Sequence, residues 1–202
     1  MSTGPTTEIE IQSNAALILG KKPFTSISDS DQFALSVQKM YDMLVPGELG
    51  SNNWKFAKKQ VQLSQVAGFD PDFAEWSTAY DLPTHLLCVS RLFPNVRFQI
   101  FENRIYTSSA GELKLEYAYD APVTSWSAAF KIFITYRIAA DMALSVAENP
   151  QLAQILEGKT QRARATAMFI DGQNSPGVGI QSNPWLEVRG SRYNNSGWGR
   201  YR

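Results

Sequence analysis

Three pairs of carboxylates stand close enough in the sequence to do acid–base chemistry together. The pairs are Asp29 with Asp31, Asp70 with Asp72, and Glu112 with Glu116. Two carboxylates can serve as general acid and general base when their surroundings separate their pKa values, as in polysaccharide hydrolases. Helix capping explains the first pair, turn chemistry explains the second, and the third lies at a strand edge without other converging polar residues. We therefore expect no catalytic residues and no enzyme activity, and a polysaccharide hydrolase is the alternative from the enzyme class.

His85 is the only histidine and Cys88 the only cysteine of the chain. Any Ser–His or Cys–His nucleophile would have to use His85, which has no nucleophile signature beside it, so we expect a structural or surface histidine. Cys88 lies in an apolar run, where a buried thiol behaves as a small hydrophobic side chain. These two residues cannot supply a zinc site, and a phosphate-cradling glycine loop is missing. We expect no metal and no cofactor.

The C-terminal residues 173–202 place arginines among large aromatic side chains in a stretch otherwise rich in Gly, Asn and Ser. These residue types anchor protein interfaces, and the same pattern can stack on bases and neutralise phosphates. A third possibility is that the segment packs on its own domain. The chain has 19 basic and 19 acidic residues, and this neutrality disfavours nucleic acid as the main partner. We predict a partner-docking arm that binds through Trp185, Arg189, Arg192, Tyr193, Trp198, Arg200, Tyr201 and Arg202.

Four stretches that precede this arm have apolar residues at helical spacing, namely 8–19, 31–44, 124–149 and 152–170. Gly20 is a natural end for the first helix, and Pro46-Gly47 is predicted to break the second. Thr124 or Ser125 is predicted to cap the third helix, and Asn149-Pro150 to end it. The third helix is apolar on several sides, which predicts a central core position with the other elements packed around it.

The apolar run of the third helix is interrupted by Lys131, Arg137 and Asp141, so we expect no membrane crossing. Arg137 and Asp141, four residues apart, indicate a wetter or paired edge of this helix. The N-terminus lacks the basic start and apolar run of a signal peptide, and a single cysteine fits a reducing compartment.

Strand-like patterns fill the middle of the chain. Residues 54–63 alternate apolar and polar side chains with an interruption at Ala57-Lys58, and 86–89 form a short apolar run. Three further runs, 96–101, 104–107 and 113–119, predict a small antiparallel meander with Asn103 in the tight reversal between the first two.

Together these elements predict an α+β fold: a bundle of about four helices with an inserted small antiparallel β-sheet and an extended C-terminal arm. The predicted division is 1–53 for the first helices, 54–123 for the sheet subdomain, 124–172 for the last helices and 173–202 for the arm.

In the order of its features, the chain resembles the tail tubular protein A, or head-to-tail adaptor, family of short-tailed bacteriophages. The residues that carry the resemblance are NAALILG at 14–20, Pro23, SISD at 26–29, YDML at 41–44, WKFA at 54–57, AYDLP at 79–83, LLCV at 86–89, the helix at 130–147 and PWLEVR at 184–189. The final segment, 193–202, has no counterpart in the family pattern.

The resemblance implies a structural virion protein and not an enzyme. It implies a homo-oligomeric ring, usually of twelve copies, that joins the portal protein of the capsid to the tail nozzle protein and continues the channel for the genomic DNA. It also implies assembly in the host cytoplasm, a final location in the virion tail, and an arm from about residue 173 that docks onto the portal or a neighbouring subunit. A nucleic-acid-binding module that uses the arm is the other alternative.

Overall fold

The computed structural model describes residues 7–27, 31–68, 75–109, 111–145 and 149–174, and it has an α+β fold. Within these residues lie four helices and two small antiparallel sheets of three strands each. The helices are α1 (Glu8–Ile18), α2 (Gln32–Ser51), α3 (Ala128–Ser145) and α4 (Pro150–Gln173). The strands are β1 (Lys58–Gln62), β2 (Thr78–Asp81), β3 (Leu86–Phe93), β4 (Phe98–Phe101), β5 (Arg104–Thr107) and β6 (Lys114–Tyr119).

Helix α3 is the centre of the bundle, as its all-round apolar pattern predicts. It contacts α1, α2 and α4, and Phe130, Phe133, Ile134 and Ile138 are fully buried. The ring of Phe130 meets those of Trp54 and Trp126 edge-on at 4.7 and 4.9 Å between centroids, a favoured geometry for aromatic pairs. These contacts hold the loops that flank the sheets against the helical core.

The caps of α3 differ from the prediction. Val123–Ser125 form a short 3₁₀ turn, so neither Thr124 nor Ser125 caps the helix. Instead Ser127 Oγ accepts a hydrogen bond of 3.2 Å from the N–H of Phe130. Helix α3 is described to Ser145, and Asn149 caps α4 by accepting from the N–H of Leu152 at 3.0 Å.

Helix α2 continues through Pro46-Gly47 to Ser51, so the predicted break is wrong. Val37, Tyr41, Val45 and Leu49 recur every four residues and are all buried. Burial of Val45 and Leu49 extends the apolar stripe past the proline, and each buried side chain of this size stabilises by about 1.5–3 kcal/mol. This gain offsets the cost of a proline inside the helix, which is roughly 3 kcal/mol relative to alanine.

The strands form two sheets and not the single meander that the sequence predicts. One sheet has the order β1-β6-β3 and the other β2-β5-β4, all antiparallel. The turn between β4 and β5 lies at Glu102 and Asn103, both with positive φ, which confirms the predicted reversal. Strands β5 and β6, however, lie in different sheets, and β2 was missed by the sequence pattern.

The first strand begins at Lys58 because Lys55–Ala57 form a 3₁₀ turn, so the predicted strand start at Trp54 is wrong. Trp54 packs in the helical core instead, and its indole N–H donates to the carbonyl of Glu48 at 2.9 Å. A second core lies between residues of both sheets and includes Tyr80, Leu92, Ile105, Leu115 and Tyr117. Tyr119 packs against both cores and so links the sheets to the bundle.

In the part of the chain that the structure describes, every helix is too short or too polar to span a bilayer. The predicted boundaries of the sheet subdomain and of the arm stay predictions.

Candidate functional site

The predicted arm lies almost entirely outside the described residues. All eight of its predicted binding residues are beyond them, namely Trp185, Arg189, Arg192, Tyr193, Trp198, Arg200, Tyr201 and Arg202. Their contacts therefore stay predictions. The structure does describe the helix from which the arm departs, because α4 runs to Gln173.

The end of α4 is tied to the segment that leads into the first sheet. Asp171 is 4% exposed, and its Oδ2 accepts a hydrogen bond of 2.7 Å from the backbone N–H of Lys55. Its Oδ1 has no hydrogen-bond partner among the described residues. A short hydrogen bond to a buried carboxylate is of the stronger, charge-assisted kind, so this bond holds the end of α4 in a fixed position on the bundle.

The outer face of α4, which we define by Ile155, Lys159, Arg162 and Phe169, combines apolar and basic side chains. These residues follow one another at helical steps of three, four and seven, so they share one side of the helix. Ile155 is 59% exposed and Phe169 69% exposed, and both basic residues are exposed. Large exposed apolar side chains together with an arginine on one helix face are compatible with a surface that a partner covers.

A groove of about 360 Å³ lies beside this face, lined by Asn52, Gln161, Arg164, Ala165 and Met168. Arg164 donates a hydrogen bond of 3.3 Å to Asn52 Oδ1 across it. The long stem of Met168 is half exposed there. The basic and apolar character of the outer face therefore continues around the helix.

A second feature is a cavity of about 370 Å³ between α1, α2 and the loop before α3, which we name the bundle pocket. Three acidic residues line it, together with two stacked aromatic rings whose centroids are 6.4 Å apart. The acidic residues are Glu8, Asp42 and Asp120, and the rings are those of Tyr41 and Trp126. Burial, together with the nearby charges of Glu8, Asp120 and Asp42, raises the pKa of Tyr41, so its hydroxyl stays protonated at neutral pH.

A third cavity, of about 510 Å³, lies on the sheet β2-β5-β4, and we name it the sheet pocket. It is lined by Glu75, Trp76, Gln99, Phe101, Glu102 and Tyr106. The rings of Phe101 and Tyr106 meet edge-on at 5.6 Å between centroids. Arg97 lies 5.5 Å from the Trp76 ring and forms a 2.8 Å ion pair with Glu75, so a cation of this chain already contacts two residues of the sheet pocket.

The carboxylate pairs of the sequence do not come together as acid–base sites in the described residues. Asp31 caps α2 by accepting hydrogen bonds from the N–H groups of Phe33 and Ala34, as the sequence predicts. The other three aspartates of the predicted pairs, Asp29, Asp70 and Asp72, lie outside the described residues. Glu116 accepts hydrogen bonds of 2.7 Å from Lys58 and 2.9 Å from Gln60. These two bonds lower the pKa of Glu116, which favours a structural carboxylate over a proton donor.

The paired edge predicted for α3 is confirmed. Arg137 Nε lies 3.3 Å from Asp141 Oδ2, which makes an ion pair but not a well-aligned hydrogen bond. Arg137 Nη1 lies 3.6 Å from Glu157 Oε2 of α4. Burial raises the pKa of Asp141 against the opposing effect of Arg137, and the charge of Glu157 adds to the rise.

His85 is exposed, in agreement with a surface position. Cys88 is also exposed, so the expectation of a buried thiol is wrong. Strand β3 has irregular pairing with β6 on both sides of Cys88 and Val89, and the simple in–out alternation of a strand is lost there. Among the described residues, histidines, cysteines and carboxylates do not form a group of three or more that could hold a metal ion.

Sequence reasoning missed the bundle pocket. Its acidic residues are 34 and 78 positions apart in the chain, so no local motif marks them. The one local signal was Pro46 inside the apolar stripe of α2, since a proline there leaves the carbonyl four residues earlier without its helical partner. That carbonyl belongs to Asp42, which lines the pocket.

In comparisons with known proteins, no family model matches the chain, and no curated protein matches it either. The resemblance to the adaptor family therefore stays a prediction from the residues.

Proposed function

We propose that the chain is a structural adaptor subunit of a short-tailed bacteriophage, which assembles with copies of itself into a ring between the capsid portal and the tail nozzle. The observation that carries the proposal is the outer face of α4, a long exposed surface of apolar and basic side chains that leads directly into the Arg- and aromatic-rich arm. The α+β fold, with strands between two pairs of helices, agrees with the helical bundle and inserted antiparallel sheet that the family resemblance implies.

A closed ring needs one surface of each subunit to bind a different surface of the next. Ile155 and Phe169 are 14 residues apart, which places them about 21 Å apart along the helix axis. A face of this length with exposed apolar side chains at both ends is suited to one side of such an interface. The basic residues between them, Lys159 and Arg162, would then pair with acidic groups of the neighbour or face the DNA of the channel.

The arm completes the proposed assembly. Interface energies concentrate in Trp, Tyr and Arg, and residues 185–202 hold two Trp, two Tyr and four Arg. We infer that the arm docks onto the portal or a neighbouring subunit and becomes ordered on binding. Asp171 supports this role because its bond to Lys55 fixes the point from which the arm departs.

The outer face is tested by the double variant Ile155→Ser, Phe169→Ser, with Met43→Ser on α2 as the matched control. Met43 is 65% exposed on another helix, so its replacement removes apolar area elsewhere on the surface. Sedimentation velocity of each variant with the portal ring of the same virus measures assembly. We expect the double variant to form no ring, or only an incomplete ring, on the portal, whereas the control forms the full complex. Normal assembly of the double variant would exclude the outer face as the ring interface.

Nucleic-acid binding is separated from ring assembly by its dependence on salt. If the chain binds DNA through the arm as a module in its own right, the affinity for DNA should fall steeply with salt in the absence of any portal. The adaptor proposal predicts instead that the chain alone binds DNA weakly, because the basic face acts only within an assembled channel.

A further inference from the structure

We propose that the bundle pocket binds a guanidinium group and that an arginine of the C-terminal segment 185–202 occupies it. Such binding requires only copies of this chain and does not depend on whether the chain builds an adaptor ring.

Oxygen acceptors are concentrated in the pocket. Glu8, Asp42 and Asp120 supply carboxylates from three different elements, and none of the three forms an ion pair among the described residues. Pro46 has no N–H, so the carbonyl of Asp42 cannot receive the helical hydrogen bond from position 46. Several acceptors without a basic partner favour a cation with several donors, and guanidinium offers five in a planar fork.

The side chain of Tyr41 adds a hydroxyl group to the pocket. Tyr41 is only 5% exposed, it lines the pocket, and its hydroxyl has no hydrogen-bond partner among the described residues. The effect of Glu8, Asp120 and Asp42 on its pKa places the hydroxyl within reach of their charges. A ligand that enters among these carboxylates therefore also meets this hydroxyl.

The pocket favours an organic cation over a metal ion. Carboxylates that hold calcium or magnesium must approach the ion to about 2.0–2.6 Å and therefore converge closely. Glu8, Asp42 and Asp120 do not form such a group among the residues that the structure describes. The aromatic wall of Tyr41 and Trp126 gives a flat cation an apolar surface, which a hydrated metal ion does not use.

The C-terminal segment supplies the cation. Residues 175–202 contain four arginines, no lysine and one acidic residue, Glu187, whereas residues 1–174 contain 15 basic and 18 acidic residues. The charges of the segment and of the rest of the chain are thus complementary. The 15 residues from Asn174 to Arg189 span up to about 50 Å when extended, and this length sets how far Arg189 can reach from the end of α4.

The sheet pocket also has acidic and aromatic residues in its lining, and it provides a matched comparison. Arg97 already pairs with Glu75 there and lies near Trp76. A second guanidinium would meet this positive charge. The bundle pocket has no basic residue in its lining, so it is the better receptor for an arginine.

The test uses the full-length chain with Arg189, Arg192, Arg200 and Arg202 replaced by Gln, so that its own segment does not compete. A fluorescent peptide with the natural sequence of residues 184–202 is then titrated, and its anisotropy measures binding. We expect saturable binding that weakens with salt. Adding Asp42→Asn and Asp120→Asn should lower the affinity about tenfold or more, the size expected for charge-assisted hydrogen bonds. Adding Glu75→Gln and Glu102→Gln instead should leave it within about twofold.

The outcomes separate the proposal from its rivals. Asp42 and Asp120 are exposed, so we expect Asp42→Asn and Asp120→Asn to leave the melting temperature unchanged. If the melting temperature falls, Tyr41→Phe is used in place of these two replacements. This variant loses only the hydroxyl and should bind the peptide several-fold more weakly. The proposal would be overturned if the peptide did not bind, or if the variant with Asp42→Asn and Asp120→Asn bound it with undiminished affinity. It would also be overturned if only the variant with Glu75→Gln and Glu102→Gln lost binding. Saturable binding of Ca²⁺ that depends on Asp42 would overturn it as well. The experiment contains no portal, so its result is independent of the ring proposal.

Discussion

The carboxylate of Asp171, in the last turn of α4, accepts a 2.7 Å hydrogen bond from the backbone N–H of Lys55, 116 residues earlier in the chain. This bond joins the last helix to the turn that leads into β1. Because Asp171 is buried, the N–H of Lys55 would lose its partner without the carboxylate, and the end of α4 would lose its attachment.

We therefore expect Asp171→Ala to lower the free energy of unfolding by about 1–3 kcal/mol, the range for removing one partner of a buried hydrogen bond. Gln173→Ala, on the same turn but exposed, is the control and should change it by less than about 0.5 kcal/mol. Urea denaturation of both variants measures the difference. Equal stability of the two would show that the bond to Lys55 does not hold the end of the helix.

Two glycines should respond in opposite ways to alanine. Gly158 lies inside α4 with open space where a Cβ would stand, so Gly158→Ala should stabilise by about 1 kcal/mol through helix propensity. Gly20 follows α1 with φ of +73°, and an alanine there should cost about 1–2 kcal/mol in the left-handed region. Thermal unfolding followed by circular dichroism measures both, and a stabilising Gly20→Ala would contradict the described end of α1.

The hydrogen bonds to Glu116 predict a dependence of stability on acid. Lys58 and Gln60 lower the pKa of Glu116 below its ordinary value of 4.5, so the folded state binds this proton less readily than the unfolded state. The resulting stabilisation is present above pH 4.5 and is lost as the pH falls through the lowered folded-state pKa.

Glu116→Gln should therefore flatten the fall in the free energy of unfolding at and below pH 4.5, relative to the natural chain. Urea denaturation at a series of pH values measures the slope. Glu112→Gln, an exposed neighbour in the sequence, is the control and should keep the natural slope. A slope that Glu116→Gln leaves unchanged would mean that the contact with Lys58 does not persist in solution.

Exposure of Cys88 makes a simple chemical prediction. A free and exposed thiol should react with about one equivalent of an aromatic disulfide reagent in the folded protein, without denaturant. Absorbance of the released thiolate measures the reaction, and Cys88→Ser gives the baseline. Reaction only after denaturation would restore the sequence-based expectation that the thiol is buried.

Helix positions were predictable from the sequence where apolar spacing is strong, because each of the four helices in the described residues overlaps a predicted stretch. The ends were less predictable, since α2 runs on to Ser51 and α3 begins only at Ala128. The error at Pro46 has a physical cause. A proline is a local signal against a helix, whereas burial of Val45 and Leu49 depends on packing against distant residues. Local propensity is a weak guide when such tertiary burial opposes it.

Strand pairing was less predictable than strand position. The reversal at Asn103 is local chemistry, so it was predicted, but β1 pairs with β6 across nearly sixty residues of sequence. Alternation identifies a strand without identifying its partner. The exposure of Cys88 was missed for a related reason, since irregular pairing changes which side chains face the core.

Of the candidate binding surfaces, only the one whose residues are adjacent in sequence could be predicted from the sequence. The docking arm was predicted from composition alone, because its arginines and aromatic residues are adjacent in sequence, and it stays a prediction. The bundle pocket was not, because Glu8, Asp42 and Asp120 are brought together only by packing of α1, α2 and the loop before α3.

Particle mass tests whether the chain is a subunit of a ring between the portal and the tail. Light scattering measures the mass of the full-length protein alone and mixed at increasing ratios with the portal ring of the same virus. We predict a complex that saturates near one copy of this chain per portal subunit, and loss of that complex when residues 175–202 are deleted. Absence of association at every ratio would contradict the claim.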